Sequence, residues 1–233
     1  MIIPISIYVP YHVHDHDHTE KPITNIFNDG TIILINMCDS QIMRNWKNNI
    51  DDTYLFTIDT CLFHKFQDIQ FIDVAKRSME IQNAGGSSEK SEALSMQYMY
   101  HMFGAKNFIP EMEVSYWVEY KICDFVMKLG KENIGVSVTR AINYPFNSEF
   151  TIEKSLWLLN KKLYGLIVAR NCISKKHKFM RSILHIWCMN IQTANTIKIA
   201  YQEIIKKDVE KTYDNVYVIC SICDQLCIYN NYI

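Results

Sequence analysis

The sequence EVSYWVEYKICDFVMKLGKENIGVSVTRA, residues 113–141, is the stretch that decides the fold. Its β-branched and aromatic side chains predict adjacent strands at 113–118, 121–129 and 134–141. Asp124 is an isolated acid within the apolar second strand. Burial of a lone carboxylate is costly unless it is paired, neutralised or bound to a metal. Asp124 is therefore either part of a functional site or a solvent-facing residue at a strand end.

The composition is that of an ordinary globular protein. With 233 residues, 48% hydrophobic and 21% charged, the chain can bury a substantial core and does not resemble a disordered protein. No segment approaches the roughly 18 apolar residues of a membrane helix, and the apolar start lacks a basic region. We expect an intracellular protein, cytoplasmic or nuclear, whose eight cysteines are mostly buried thiols. The high Ile, Asn, Lys and Tyr content is typical of an AT-rich genome.

The charge is distributed unevenly along the chain. The net charge is -1, but residues 154–202 contain nine basic and no acidic side chains. Such a segment is typical of a phosphate-binding face, although solvated lysines would give the same pattern. The aromatic residues Trp157, Tyr164 and Trp187 either stack nucleic-acid bases or belong to the core. The candidate nucleic-acid-binding residues are Lys161, Arg170, Lys175, Lys176, Lys178 and Arg181.

The first part of the chain, residues 1–82, is predicted to be mainly β and is acidic, with 11 Asp and Glu against 6 Lys and Arg. Four short apolar runs predict strands, and residues 41–48 predict a short helix. The sequence NAGGSS at 83–88 is typical of a linker. It separates this portion from a second domain that we expect at 88–233. The predicted strands lie within the first ten residues and at 31–37, 53–59 and 69–74.

Two further groups of residues have metal-ligand character. The alternating histidines of 12–18, HVHDHDH, either bind a transition metal or form an exposed polar loop with adventitious affinity. Cys220, Cys223 and Cys227 include one CxxC pair, but without a second pair they are interpreted as buried thiols. His185 alternates with apolar neighbours and is interpreted as a hydrogen-bonded core histidine.

The second portion has a regular order of predicted elements. Ser91 is placed as the N-cap of a helix over about 92–103 that ends at Gly104, with Glu92 in its first turn. Apolar periodicity after Thr151 predicts a long helix through Ile167, on which Lys162 flanks the packed side and Lys161 points to solvent. A strand at 182–188, a helix over about 193–207 and a strand at 216–222 complete the order.

The resulting αβββαβ order, with Glu92 on the first helix and Asp124 in the second strand, resembles the PD-(D/E)XK, or restriction-endonuclease-like, nuclease superfamily. The resemblance covers about residues 88–223. The segments SEALS, GVSVTRA and LLNKKLYGLIVAR followed by ILHIWC are also similar to a little-characterised group of eukaryotic and large-virus proteins with this core. The superfamily resemblance implies a mixed central sheet flanked by helices, and in this chain a mainly β N-terminal portion precedes it.

The resemblance also implies a site for metal-assisted phosphodiester hydrolysis. Carboxylates would hold Mg²⁺ or Mn²⁺, and a lysine would orient the attacking water. The implied metal ligands are Glu92 and Asp124, with Glu113 as a third. In the superfamily the third strand supplies an acid and a lysine, but here Ser137 and Thr139 occupy those positions. The candidate cationic replacements are Lys162 and Arg140.

Three functions follow from these observations as hypotheses. The first is a metal-dependent nuclease that acts on DNA or RNA. The second is an inactive nuclease-fold module that needs no cofactor and binds nucleic acid or assembles with protein partners, as Ser137 and Thr139 suggest. The third is a purely structural subunit. A membrane partner is not expected.

Overall fold

An eight-stranded mixed sheet lies at the centre of the structure, a computed structural model. The strands are β1 (Ile23–Ile26), β2 (Ile32–Asn36), β3 (Leu55–Phe63), β4 (Lys106–Pro110), β5 (Phe125–Leu129), β6 (Glu132–Ala141), β7 (Arg181–Cys188) and β8 (Val216–Ile222). Their order across the sheet is β1-β2-β3-β8-β7-β6-β5-β4. The structure describes residues 23–26, 32–36, 55–63, 65–80, 88–118, 120–143 and 148–229.

Helices cover both faces of this sheet. They are α1 (Asp73–Glu80), α2 (Glu89–Phe103), α3 (Ile152–Cys172), α4 (Ile191–Lys207) and the short α5 (Leu226–Tyr229). Side chains of α1, α2 and α5 pack in one apolar cluster with Val136, Val138 and Trp187. Side chains of α3 and α4 pack in the other, with Ala141, Leu184 and Ile186. These are called the α2 face and the α3 face below.

The strand pairing explains why helices are needed on both sides. β4, β5 and β6 form an antiparallel meander, whereas β6, β7 and β8 are mutually parallel. Parallel neighbours require a crossover, and α3 and α4 provide the two crossovers. β7 is buried along most of its length, as is typical of a strand covered on both faces. The predicted α/β class, with a mixed sheet flanked by helices, is confirmed.

The N-terminal strands extend the same sheet. β1 and β2 are antiparallel to their neighbours, and β3 pairs in parallel with β8 from Leu55 opposite Tyr217 to Thr60 opposite Ile222. The predicted boundary at 83–88 falls mostly outside the described residues. Because β1, β2 and β3 belong to the same sheet as β4–β8, the parts of the chain before and after this predicted boundary share one sheet.

Buried polar side chains connect β3 to the rest of the α2 face. Asp59 accepts hydrogen bonds from Ser221 Oγ, at 2.6 Å, and from Tyr98 Oη. His185 is 0% exposed, and its two ring nitrogens lie 2.8 Å from Ser221 Oγ and 2.7 Å from Ser95 Oγ. Every polar side chain in this hydrogen-bonded network has a partner, which offsets much of the free-energy cost of burying polar groups. The prediction that His185 is a hydrogen-bonded core residue is confirmed.

A close contact fixes the packing of β6 against the loop before β7. Gly135 faces the ring of Phe179, which is almost completely buried. A Cβ atom at position 135 would lie less than 3.0 Å from three atoms of that ring. Only glycine fits this position without displacing the ring.

The long periodic elements were predicted correctly, and three short segments were not. The strands β2, β3, β6, β7 and β8 and the helices α2, α3 and α4 are confirmed, as is Gly104 at the end of α2, in the left-handed conformation with φ 63°. The predicted N-cap of α2 is wrong, because the helix begins at Glu89 with Ser88 as its cap and Ser91 lies within it. The strand predicted at 113–118 is wrong, because Glu111–Glu113 forms a 3₁₀ turn and a loop follows. The strand predicted at 69–74 is also wrong, because α1 begins at Asp73. The predicted strand at 121–129 begins only at Phe125.

Pro110 explains why the true first strand of the meander was missed. β4 is only five residues long and ends in this proline, which the sequence pattern gave no reason to place in a sheet. β4 lies at the edge of the sheet, where the missing N–H of proline leaves no interior hydrogen bond unmade. The strand predicted in the first ten residues and the helix at 41–48 lie outside the described residues. None of the helices described is long and apolar enough to cross a membrane.

Candidate functional site

Asp124 lies on the α3 face, directly before β5. Its Oδ2 accepts hydrogen bonds from Ser137 Oγ at 2.9 Å and from the Val138 N–H at 2.6 Å. Its own N–H donates to the Val136 carbonyl oxygen at 2.9 Å, one residue out of the β5–β6 register. Ser137 alternates with Val136 and Val138, which face α2, so Ser137 and the Asp124 carboxylate that it binds lie on the α3 side. Within the described residues, its Oδ1 has no hydrogen-bond partner.

Glu111 is a second carboxylate at the same place. Pro110, the last residue of β4, pairs with Phe125, the first residue of β5. Glu111 directly follows Pro110 and Asp124 directly precedes Phe125, so the two acids are neighbours beyond the same end of this strand pair. Burial raises the pKa of Glu111, the neighbouring Asp124 carboxylate raises it further, and the Lys162 ammonium lowers it. The carboxyl groups are therefore close enough to interact. Both side chains are half-buried.

Lys162 brings a positive charge to the two carboxylates from α3. Its Nζ donates a hydrogen bond to the Val138 carbonyl oxygen at 3.1 Å. The predicted orientations on α3 are confirmed, since Lys162 is half-buried against the sheet and Lys161 is exposed. Glu111, Asp124, Ser137 and Lys162 thus lie together where β4, β5, β6 and α3 meet, and they are called the carboxylate site below.

Other residues predicted for the site lie elsewhere. Glu92 is 4% exposed on α2, across the sheet, where it accepts a hydrogen bond from Ser88 Oγ at 2.5 Å. Glu113 pairs with Arg77 of α1 at 3.0 Å. Arg140 lies two residues after Val138 on β6 and so on the same side, facing α2, and it donates to the Ile228 carbonyl oxygen at 3.2 Å. The structure does not bring these three residues together with Asp124.

The donor set of the carboxylate site limits what metal it can hold. Within the described residues, no three His, Cys, Asp or Glu side chains converge on a common point. Two carboxylates suit Mg²⁺, which in proteins is typically held by one or two carboxylates together with water and substrate phosphates. The residues present therefore fit Mg²⁺ or Mn²⁺ shared with a phosphate substrate, but not a metal bound by protein side chains alone.

The sequence is similar to one protein of uninformative name. No family model matches the chain. No solved structure matches it either. The AAC-rich mRNA clone AAC4 protein of Dictyostelium discoideum is 34% identical over 138 residues, which are 57% of this chain and 20% of that protein. The chain thus spans about a fifth of the length of this curated relative. The superfamily resemblance stays a prediction.

The six candidate nucleic-acid-binding residues fall into two groups. Some hydrogen-bond within the protein and the others are exposed. Arg181 pairs with Glu132 through Nε at 3.0 Å, and Arg170 donates to the carbonyl oxygens of Met180 and Asp214. Burial lowers the pKa of Arg170, which the nearby Asp214 partly opposes. The other four candidate residues, Lys161, Lys175, Lys176 and Lys178, are exposed. These four lysines are the better placed to meet an external phosphate.

The three aromatic residues proposed for stacking also separate clearly. Trp187 is fully buried and donates from Nε1 to the Ser91 carbonyl oxygen at 3.0 Å, so it belongs to the core. Trp157 and Tyr164 are 63% and 54% exposed on α3. The histidine cluster at 12–18 lies outside the described residues. Of the three cysteines predicted to be buried thiols, Cys220 and Cys223 are buried and Cys227 is half-buried, and none of the three forms a disulfide.

Proposed function

We propose that the chain is a metal-dependent nuclease-like protein that acts on nucleic-acid phosphodiesters through the carboxylate site. The observation that carries this proposal is the placement of two carboxylates and one ammonium group around Val138 and the end of β4. Asp124 accepts from the Val138 N–H, Lys162 donates to the Val138 carbonyl oxygen, and Glu111 lies next to the Pro110–Phe125 pair that adjoins Asp124. Two acids and one ammonium group around a common point are the chemistry that phosphodiester hydrolysis uses.

The topology supports a restriction-endonuclease-like core. In chain order, α2 precedes the antiparallel meander β4–β5–β6, and α3 leads to β7, which is parallel to β6. This is the αβββαβ arrangement that the sequence predicts. Asp124 lies at the start of the second strand and next to Ser137 of the third, the position at which the superfamily has an acid. Glu111 supplies the second carboxylate from the end of the first strand.

Lys162 fits the role of the lysine that Thr139 cannot fill. A lysine ammonium group has three N–H donors, and the Val138 carbonyl oxygen takes one of them. The other two can donate to a phosphate oxygen, while the positive charge opposes the charge that develops on the phosphate. The Ser137 and Val138 hydrogen bonds hold the Asp124 carboxylate in one orientation. A bound Mg²⁺ would supply an acidified water and neutralise phosphate charge.

Cleavage assays with paired variants test this assignment. The purified protein, with Mg²⁺ or Mn²⁺, is expected to cut single- or double-stranded DNA or RNA. Asp124→Asn, Glu111→Gln and Lys162→Met are each expected to lower the rate at least about 100-fold, as is typical for loss of a group that stabilises transition-state charge. Glu113→Gln, two residues from Glu111 but paired with Arg77, is the matched control and should cut at the wild-type rate.

The reasoning would be wrong if Glu113→Gln and Glu111→Gln behaved alike, or if Asp124→Asn left cleavage unchanged. Glu92→Gln adds a second discrimination. The superfamily resemblance implies that Glu92 is a metal ligand, whereas in the structure it lies across the sheet from Asp124, so its substitution is expected to spare cleavage.

A second function, nucleic-acid binding without cleavage, is favoured by one observation. Ser137 and Thr139 stand where the superfamily has an acid and a lysine, and both carry neutral side chains. An inactive module predicts binding that falls with added salt and survives Asp124→Asn. Charge reversal at Lys175, Lys176 and Lys178 would weaken that binding, because these side chains are exposed. The absence of cleavage under all metal conditions, together with such binding, would select this function.

A further inference from the structure

We propose that the outward side of α3 is a binding track for single-stranded nucleic acid. The track consists of Lys154, Trp157, Lys161 and Tyr164, with bases stacked on the two aromatic rings and phosphates held by the two lysines. This inference rests on the proposed function and narrows its substrate class from nucleic acid in general to unpaired strands.

The spacing of the four residues places them on one stripe. They follow one another at intervals of three, four and three residues, which keeps side chains on the same side of an α-helix. All four are exposed. With a rise of about 1.5 Å per residue, the Trp157 and Tyr164 positions lie about 10 Å apart along the helix axis. This distance spans about three phosphates at the rise of one DNA strand.

Stacking surface and positive charge occur side by side on this stripe. The Nζ of Lys161 lies over one face of the Trp157 ring, 4.8 Å from its centroid, so a base would stack on the opposite face or displace the ammonium group. A base stacked on Trp157 would therefore have a cation within reach of its own phosphate. Rows of aromatic and basic side chains are the means by which proteins hold single strands without reading their sequence, since every base offers a π face.

A cavity at one end of the track adds a place for an unpaired base. It has a volume of about 320 Å³ and is lined in part by Phe150, Lys154, Trp157 and Asn143. Two aromatic side chains offer stacking, and the amide of Asn143, which accepts a hydrogen bond from Lys154 Nζ, can bond a base edge. A base within a duplex is stacked and paired, so it cannot enter such a cavity without being extruded. The cavity therefore favours single strands.

Charge complementarity identifies the occupant of this face as a polyanion. From Lys154 to residue 202 the chain has no acidic side chain, and Glu153, exposed in the first turn of α3, is the acid that directly precedes it. The exposed Lys175, Lys176 and Lys178 follow the C-terminal end of the same helix. A protein partner of mixed charge would not need a segment so one-sided.

Binding measurements with labelled oligonucleotides test the track. Fluorescence anisotropy is measured with oligothymidylate, with oligouridylate and with a DNA duplex of equal length. We expect tighter binding of both single strands than of the duplex. Trp157→Leu and Tyr164→Leu should each weaken single-strand binding about 5- to 100-fold, because they remove a stacking face. Lys161→Gln should lower the slope of log affinity against log salt by about 0.7.

Two controls separate stacking from general damage. Trp157→Phe keeps a stacking face and should retain most of the affinity. Tyr100→Leu removes a tyrosine that is 43% exposed on α2, across the sheet, and should bind as the wild type does. Because the substituted positions are exposed, the free energy of unfolding of each variant is expected to match that of the wild type, which urea titration checks.

The inference is overturned if the duplex binds as tightly as the single strands, or if Trp157→Leu and Tyr164→Leu bind as Tyr100→Leu does. Failure of the track and failure of the proposed function are distinguishable. Duplex cleavage that depends on Asp124, with no effect of the track variants, would sink the track alone. Single-strand binding that depends on Trp157, without any cleavage, would support the track and leave the protein as a binding module.

Discussion

Replacement of Asp59 by asparagine is expected to change the pH dependence of stability. Asp59 is 2% exposed, and burial raises its pKa from the ordinary 3.8 to about 6, against the opposing hydrogen bonds from Ser221 and Tyr98. A folded-state pKa above the unfolded value means that the native state binds the proton more tightly. The stabilising contribution is therefore complete below pH 3.8 and is lost as the pH rises through about 6.

The size of the effect follows from the pKa change. A shift of about two units corresponds to about 3 kcal/mol over the whole titration. About 2 kcal/mol of this falls between pH 4.5 and pH 7.5, since the unfolded carboxyl group is already largely ionised at the lower value. Asparagine does not ionise. The free energy of unfolding of Asp59→Asn, relative to the wild type, should therefore rise by about 2 kcal/mol between these two pH values.

Urea titrations followed by tryptophan fluorescence measure this difference directly. His185 titrates in the opposite sense, because burial lowers its pKa from 6.5 to about 3 and its contribution is lost as the pH falls. Both proteins contain His185, so its contribution largely cancels in the comparison. Gln202→Ala, at an exposed position and without a titratable group, is the control and should show a constant difference. A constant difference for Asp59→Asn as well would refute the reasoning.

The remaining stability predictions use the same titrations. Gly135→Ala is expected to lower the free energy of unfolding by about 1–3 kcal/mol, because the new Cβ overlaps the Phe179 ring. Adding Phe179→Leu to this variant should restore part of the lost stability. Gly165→Ala has open space within α3 and should raise the free energy of unfolding by about 0.5–1 kcal/mol, so a change of the same sign in both variants would contradict one of the two assignments. Asn190→Ala removes the cap that accepts from the Thr193 N–H at 2.8 Å and should cost about 1 kcal/mol, whereas Asn190→Gly should cost a few tenths.

The long elements of this fold could be predicted from the sequence because their periodicity is sustained. α3 and β7 each show one pattern over many residues, and the wheel of α3 alone placed Lys162 against the sheet. Asp124 was identifiable as an acid that interrupts an apolar run. These features depend on neighbours in the chain, which is the information that a single sequence carries.

Glu111, the second carboxylate of the site, was missed because the first strand of the meander was predicted a few residues too late in the chain. A first strand at 113–118 makes Glu113 the acid beside Asp124. The strand is instead β4, and the residue that follows its closing proline is Glu111. A five-residue edge strand ending in proline gives little periodicity from which to predict it. Pairs such as Glu113 with Arg77 depend on distant parts of the chain, which local patterns do not report.

The pairing of β3 with β8 has a consequence for how the chain reaches its fold. The hydrogen bond between Asp59 and Ser221 joins residues 162 positions apart. During synthesis β3 leaves the ribosome long before β8 has been made. The edge of β3 that pairs with β8 therefore stays unpaired during that time. Contacts of such sequence separation slow folding, and unpaired strand edges promote association between chains. Products of interrupted translation that lack β8 should therefore aggregate more readily than chains in which β3 can pair with β8.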